Sequence, residues 1–320
     1  MIRLYRRSRP EEPSSVTAQS VTVRVPAKVN VQLAVAGPRA DGFHNLANVF
    51  LAVSLYDRVT ATPADELRVT CSGPDAGQVP LDTSNLAARA ALALAERHGR
   101  EARVHLHIDK DIPVAGGMAG GSADGAGALL ACDALWGTGA SRDELLDICA
   151  ELGSDVPFSL LGGVALGVGR GERLTPLEAG GTFHWVFAVA DGGLSTPAVY
   201  AECDRLRAAA GTDPGPEQPA ASAALLDALR SGDAGALAAA VSNDLQDAAV
   251  SLRPSLAEAL SAGAAAGALA AMVSGSGPTT AFLTKNAEEA ETVAAALRAS
   301  GTCRAVRVAS GPVAGATVVG

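Results

Sequence analysis

Lysine is almost absent from this chain: it stands only at Lys28, Lys110 and Lys285. Basic charge is scarce altogether. Of 320 residues, 25 are Lys or Arg and 34 are Asp or Glu, a formal net charge of -9. A nucleic-acid surface needs clustered cations to displace counterions, so nucleic acid is excluded as a partner. Paired cysteines are lacking too. Cys71, Cys132, Cys149, Cys203 and Cys303 are odd in number and widely spaced, and no CxxC occurs. That excludes a disulfide framework or a zinc site and leaves free thiols in a reducing compartment. No apolar segment follows the basic stretch Met1–Pro10, so it does not read as a signal peptide, and residues 1–19 are expected to form a disordered tail. The most apolar stretch, Ala257 to Val273, is mostly Ala and Gly and carries Glu258, which argues against a membrane span. No internal repeat is found. A soluble, cytoplasmic protein is expected; the sequence assigns no oligomeric partner.

What is present suits a sizeable core: 48% of residues are hydrophobic and 18% charged. Apolar residues alternate with others over 21–36, then again over 49–62, 67–71 and 103–108, as in strands. Residues 85–98 read as a helix stopped by Gly99, and 123–135 as another. Ser141-Arg-Asp-Glu144 fits a capping box ahead of an apolar face that ends at Gly153. A glycine-rich strand pair covers 162–176. Beyond Gly180-Gly181 come a strand at 183–190 and a Pro/Gly-rich loop at 211–221. Helices follow at 222–230, 234–241 and 255–266, with Ser222 and Ser255 as N-caps. Two strands, 269–273 and 279–283, bracket a glycine turn, and a helix at 287–299 leads to a last strand at 303–309. Early hairpins and mixed order indicate an α+β protein, divided into residues 20–179 and 180–320.

Pro113-Val-Ala-Gly-Gly-Met-Ala-Gly-Gly-Ser122 lies between a strand and a helix. Glycines let backbone approach a phosphate, and a helix N-terminus offers unpaired N–H groups and a favourable dipole. Ser122 can add a hydroxyl toward a phosphate or a metal ion. The loop is neither a Walker A motif nor a Rossmann fingerprint. Nucleotide binding is the favoured reading, a flexible turn the other. Lys110, three residues upstream, is placed either to approach a nucleotide or as an exposed strand-end lysine.

Lys28, Asn30 and Gln32 share one strand face by period two. They form either a solvated face or a set that orients a hydroxyl and steadies phosphate charge. Asp155 follows a helix end in a turn pinned by Pro157. There a carboxylate either bonds its own backbone or, held ionised by Lys28, accepts a proton. Phe43 and His44 follow the turn Arg39-Ala-Asp-Gly42 and either meet a heteroaromatic base or, as a lone His after a turn more often does, serve the structure. Ser274-Gly-Ser-Gly-Pro278 is a tight turn or a second glycine loop over a ligand.

In this order the pieces resemble the GHMP kinase superfamily. The loop at 113–122 is similar to its central phosphate loop, and 274–278 to its C-terminal glycine motif. Val25-Pro-Ala-Lys-Val-Asn30, Arg39-Ala-Asp-Gly-Phe-His44 and Leu152-Gly-Ser-Asp-Val-Pro-Phe158 resemble the branch acting on a cytidine-diphosphate-linked methylerythritol. The resemblance runs from about Val21 to Ala309. It implies a ribosomal-S5-like N-terminal domain, a ferredoxin-like C-terminal domain and an active site in the cleft between them. It implies Lys28 and Asp155 as the catalytic pair, and ATP with Mg²⁺. ATP would lie on Pro113, Val114, Ala115, Gly116, Gly117, Met118, Ala119, Gly120, Gly121, Ser122 and Ala123, with Lys110 and Asn85. Asn30, Phe43, His44, Ser274, Gly275, Ser276 and Gly277 would receive the substrate. The alternatives are a homoserine- or mevalonate-type kinase and a silent nucleotide-binding homologue. Met118-Ala119 stand where Leu-Gly is commoner, and a methyl at Ala119 would crowd a position of positive φ. Ala123 stands for Ser, Gly125 for Ala, and Phe43 for Tyr.

Overall fold

A computed structural model describes residues 20–320 except Ala115 and Pro214. The expected disordered tail and the Ala115 nucleotide contact lie outside the described residues.

Two long strands, β1 (Val21–Pro38) and β2 (His44–Pro63), form an antiparallel pair around the Arg39–Phe43 turn. β1 alternates at its start, with Val21, Val23 and Val25 buried between half-exposed Thr22 and Arg24. From Pro26 to Leu33 both faces are buried. The solvated-face reading of Lys28, Asn30 and Gln32 is therefore wrong: all three are interior residues. β3 (Arg68–Ser72) is followed by α1 (Leu86–Arg97), which Asn85 caps by accepting from the Ala87 N–H, and by β4 (Val104–Asp109). Next come α2 (Gly120–Trp136), α3 (Arg142–Leu152), α4 (Val156–Leu161), β5 (Val164–Gly169) and β6 (Arg173–Leu177). As the capping box requires, Ser141 accepts from the Glu144 N–H at the start of α3.

The second half holds β7 (Phe183–Val189), α5 (Thr196–Ala210), α6 (Ala223–Ser231), α7 (Ala234–Ala240), β8 (Ser242–Asn243) and α8 (Gln246–Leu252). It continues with α9 (Ser255–Ala265), β9 (Ala270–Val273), β10 (Thr280–Thr284), α10 (Ala287–Ser300), β11 (Ala305–Gly311) and β12 (Thr317–Val318). Helices α4, α5 and α8 were not read from the sequence. Ser222 holds the N-cap position of α6 without a side-chain bond, and Ser255 lies inside α9, one residue beyond its actual N-cap, Pro254.

The first sheet runs β12-β1-β2-β4-β3, with β5 on the other half of β2, β6 on β5, and β8 on β1. The second runs β11-β7-β10-β9, antiparallel throughout, which is the ferredoxin-like order. Together they make the two-domain arrangement that the resemblance implied. The linker between β6 and β7 contains residue 180, yet β8 and β12 from beyond it pair with β1. One apolar cluster joins Val25, Leu51 and Leu129 of the first half to Trp185, Phe187 and Leu283 of the second. Each such fully buried side chain contributes about 1.5–3 kcal/mol. The opposite face of the second sheet packs Val186 and Phe282 against Val293 and Leu297 of α10. Small residues let α2 lie close on the first sheet: a methyl at Gly127 would press on Val59 and Val25. That closeness fixes where α2 begins, and its beginning is the floor of the site.

Candidate active site

A cleft of about 720 Å³ opens between the halves. Lys28 lies at its centre, buried, with each ammonium contact accounted for: Asn30 Oδ1 at 2.6 Å, the Gly117 carbonyl at 3.0 Å and Asp155 Oδ2 at 3.5 Å. Asn30 is held in turn, since its Nδ2 donates to Asn48 Oδ1 at 2.7 Å. The Phe50 ring, 5.9 Å from Lys28 Nζ, closes the apolar side. The ammonium thus has a fixed direction, set by neighbours on β1 and β2.

Asp155 is about one-third exposed and faces the cleft. The sequence suggested a carboxylate stranded past a helix C-terminus. It actually occupies the N-cap position of α4, with Pro157 in the first turn, where the helix dipole favours negative charge. Its side chain accepts no bond from its own helix. The turn-Asp reading, a carboxylate bonded to its own backbone, is not what the structure shows. Lys28 and Asp155, 127 positions apart in the chain, meet here.

The glycine loop crosses the same cleft. Gly116 O accepts from the Thr279 N–H, Gly117 O from Ser274 Oγ and Lys28 Nζ, and Met118 O from the Lys28 N–H. The loop carbonyls are drawn toward the protein by these donors. The N–H groups of Gly120, Gly121 and Ser122 open α2 and have no intrahelical acceptor. Gly117 has φ +75°, and a methyl there would collide with the Ser274 carbonyl. Ala119 has φ 60° and ψ 31°, the one non-glycine residue at positive φ among the described residues. The strained methyl anticipated from the sequence is real. A left-handed alanine costs about 1–2 kcal/mol, part of which glycine returns through unfolded-state entropy. Ala119→Gly is expected to raise unfolding free energy by about 0.5–1 kcal/mol, read from the denaturant midpoint.

Several expected nucleotide contacts face elsewhere. Met118 and Ala123 are fully buried in the core and offer backbone only. Asn85 is spent on the α1 cap and on the Pro80 carbonyl. Lys110 follows the end of β4 but is neither exposed nor a cleft residue. It is buried, with Nζ 2.6 Å from Asp57 Oδ2 and 2.7 Å from Asp124 Oδ2. Pro113 and Val114 enter the loop outside the cleft wall, whereas Gly116, Gly117, Ala119, Gly120, Gly121 and Ser122 line it.

At the other end, Phe43 is half-exposed beneath the Arg170 guanidinium, 5.3 Å from its ring centroid. His44 is buried, with Nε2 at 3.0 Å from Asp204 Oδ2 and its ring 5.0 Å from Tyr200. Ser274 is fully buried and serves the loop, while Gly275, Ser276 and Gly277 reach the cleft. Asn48, Tyr200 and Asp204 were missed in the sequence. Asn48 interrupts an apolar run as Asn30 does, which was a usable signal. Tyr200 and Asp204 share a face of α5 by i,i+4 spacing, but that helix was not read.

No group of three or more His, Cys, Asp or Glu side chains able to hold a metal occurs among the described residues. Mg²⁺ keeps several waters and is bound through one or two protein ligands plus nucleotide phosphates. Ser122, beside the α2 N-terminus, fits such a role.

A phosphate cradle beside a lysine–aspartate pair, in a cleft large enough for a nucleotide and an alcohol, defines a small-molecule kinase. The model of the GHMP kinases N terminal domain matches residues 85–163, and that of the GHMP kinases C terminal matches 225–303. A 4-diphosphocytidyl-2-C-methyl-D-erythritol kinase of Streptomyces avermitilis is 77% identical over 94% of this chain and all of its own. One from Thermobifida fusca is 59% identical over 94% of this chain and 98% of its own. A crystal structure of 4-(cytidine 5'-diphospho)-2C-methyl-D-erythritol kinase superposes with a TM-score of 0.72 at 33% identity, over 90% of this chain and 98% of the other. Homoserine kinase from Cytophaga hutchinsonii, at 19% identity and a TM-score of 0.71 over 99% of this chain and 100% of its own, shares the fold. The chain belongs to the GHMP kinase family, in its 4-diphosphocytidyl-2-C-methyl-D-erythritol kinase branch. No helix among the described residues is long and apolar enough to cross a membrane.

Proposed function

We infer that this enzyme transfers the γ-phosphoryl group of ATP to the 2-hydroxyl of 4-diphosphocytidyl-2-C-methyl-D-erythritol, in the non-mevalonate route to isoprenoid precursors and in the cytoplasm. The observation that carries the mechanism is Asp155 Oδ2 at 3.5 Å from Lys28 Nζ, beside the loop that opens α2. Asp155 accepts the hydroxyl proton as the oxygen attacks phosphorus. Lys28, aimed by Asn30 and the Gly117 carbonyl, orients that oxygen and offsets charge on the transferring group. The amides of Gly120–Ser122 take the phosphates. Ser122 would hold Mg²⁺, which when bound would supply charge neutralisation at the phosphates. Phe43, His44 and Tyr200 form the wall for the cytosine, where an aromatic face and a fixed imidazole give stacking and hydrogen-bond readout.

The test is ADP release from ATP and Mg²⁺ with the cytidine-linked alcohol, run beside homoserine and mevalonate. Turnover with the cytidine compound alone is expected. Preference for either other alcohol would keep the catalytic pair and discard the substrate. ATP binding without turnover on any of them would overturn the catalytic reading.

A further inference from the structure

The phosphate loop has a tether that the transfer chemistry does not use. Asp75 sits just before a 3-10 turn at Ala76–Gln78, between β3 and α1, and is buried. Its carboxylate takes four donors. Arg304 Nη1 and Nη2 approach Oδ1 and Oδ2 at 3.0 and 2.6 Å, a two-pronged guanidinium pair. Gln78 Nε2 donates to Oδ1 at 3.3 Å, and the Val114 N–H donates to Oδ2 at 3.3 Å. Val114 is the second residue of the phosphate loop.

Arg304 is itself immobilised. Its Nε donates to the Ala190 carbonyl at 3.2 Å and its backbone N–H to Val189 O at 2.9 Å, at the end of β7. Beside it, Arg307 of β11 reaches Asp111, one residue before Ile112, at 3.3 Å. The second sheet is thus joined to the entry of the loop by two charge pairs, one of them bidentate. The Arg304 fork holds the Asp75 carboxyl below the usual carboxylate range, so it stays ionised and acceptor-only at neutral pH. Neither residue lines the cleft. At the loop's far side the second half already grips it through Thr279 and Ser274. The Arg304–Asp75–Val114 chain gives a second grip, at the entry.

We propose that Asp75 and Arg304 are positioning residues for the nucleotide: a latch from the second half that sets the entry of the phosphate loop, and with it affinity for ATP. This rests on the kinase reading above. A grip on the loop from both halves ties the phosphate cradle to the relative placement of the halves. Loosening one end misplaces the amides that meet phosphate, while Asn30 and Asp155 still hold Lys28 and the cytosine wall stays where it is. The cost therefore falls on nucleotide binding.

The test uses the full chain with Asp75→Asn, Arg304→Gln and Arg304→Lys, and the Asp75→Asn/Arg304→Gln double variant. Affinity for MgADP is measured by calorimetry, alongside KM for each substrate, kcat and thermal midpoint. Asp75→Asn and Arg304→Gln are each expected to weaken MgADP and raise KM for ATP by about five- to twentyfold. KM for the alcohol should stay within about twofold and kcat within about threefold, with the double variant no worse than the poorer single one. Arg304→Lys keeps the charge but not the fork, and is expected to recover less than half of the loss. MgADP affinity within about twofold of wild type in both single variants would overturn the proposal, whatever the thermal midpoint does, and so would losses that simply add. Because MgADP binding needs no turnover, failure of wild type to phosphorylate the cytidine compound would strike the functional reading and leave this test standing.

Discussion

Asp155→Asn is expected to lower kcat by about 10³-fold while MgADP binding and thermal stability hold. Asn keeps the size and planarity of the carboxylate and loses its basicity. Among the described residues the Asp155 side chain has one ionic partner, Lys28, and supports no helix cap. Little folding energy therefore rides on it, because a partly exposed pair contributes about 0–1 kcal/mol. The kinetic cost has two parts: the proton acceptor, and the anion that helps aim the Lys28 ammonium at 3.5 Å. The residual rate comes from what remains, Lys28 and the loop amides, because phosphoryl transfer relies mainly on positioning and charge stabilisation. KM for ATP should not rise, since the change removes negative charge from a cleft that receives a triphosphate. A kcat within about fivefold of wild type would mean that the proton leaves by another route and that Asp155 is not the base.

How much of this was legible beforehand divides by range. Strand β1, the capping of α3 by Ser141 and the glycine loop are local patterns, and the structure bears them out, although β1 alternates only from Val21 to Val25. Lys28 and Asp155 were singled out, but no periodicity shows that residues 127 positions apart meet. Only the order of motifs suggested it. Burial was hardest to read. Lys28, Asn30 and Gln32 alternate with valines as a solvated face would, yet Asn48, Gly117 and Asp155 of the first half and Ala220 and Ser222 of the second take up their polar groups. Helix α5 was missed because only Val199 and Cys203 of its fifteen residues are buried, leaving no apolar stripe. With it went Tyr200 and Asp204, the ring and the carboxylate that hold His44. Lys110 shows the same limit: its partners lie 53 and 14 residues away on other elements, invisible to spacing.

Lys110 also carries the largest expected loss of stability. Lys110→Met should destabilise the fold by about 3–5 kcal/mol, because it strands buried carboxylates that the ammonium compensates. The side chains of Lys110, Asp57 and Asp124 are all at most 3% exposed. Asp57 has other support, since its Oδ1 accepts the N–H groups of Asp111 and Ile112 at 2.7 and 2.9 Å. Asp124 has less: its Oδ1 is buried without a partner among the described residues. Burial pushes the Asp124 carboxyl well up, against the pull of Lys110 and with the repulsion of Asp57. For Lys110, burial acts to lower its value, but the two carboxylates outweigh it and the net shift is upward. The folded chain therefore holds the Asp124 proton more tightly than the unfolded chain does. The stability linked to that proton is full below the ordinary carboxylate range and is lost as pH rises through the elevated value. Asp124→Asn mimics the protonated form, so it should cost far less than Lys110→Met at neutral pH and flatten that decline. Pairing Lys110→Met with Asp124→Asn should recover part of the loss, because the less supported of the two stranded carboxylates is then neutral. Denaturant midpoints of the four proteins across the acid-to-neutral range decide it. A Lys110→Met variant within about 1 kcal/mol of wild type would show that water reaches the triad and that it is not the dry anchor beneath the phosphate loop.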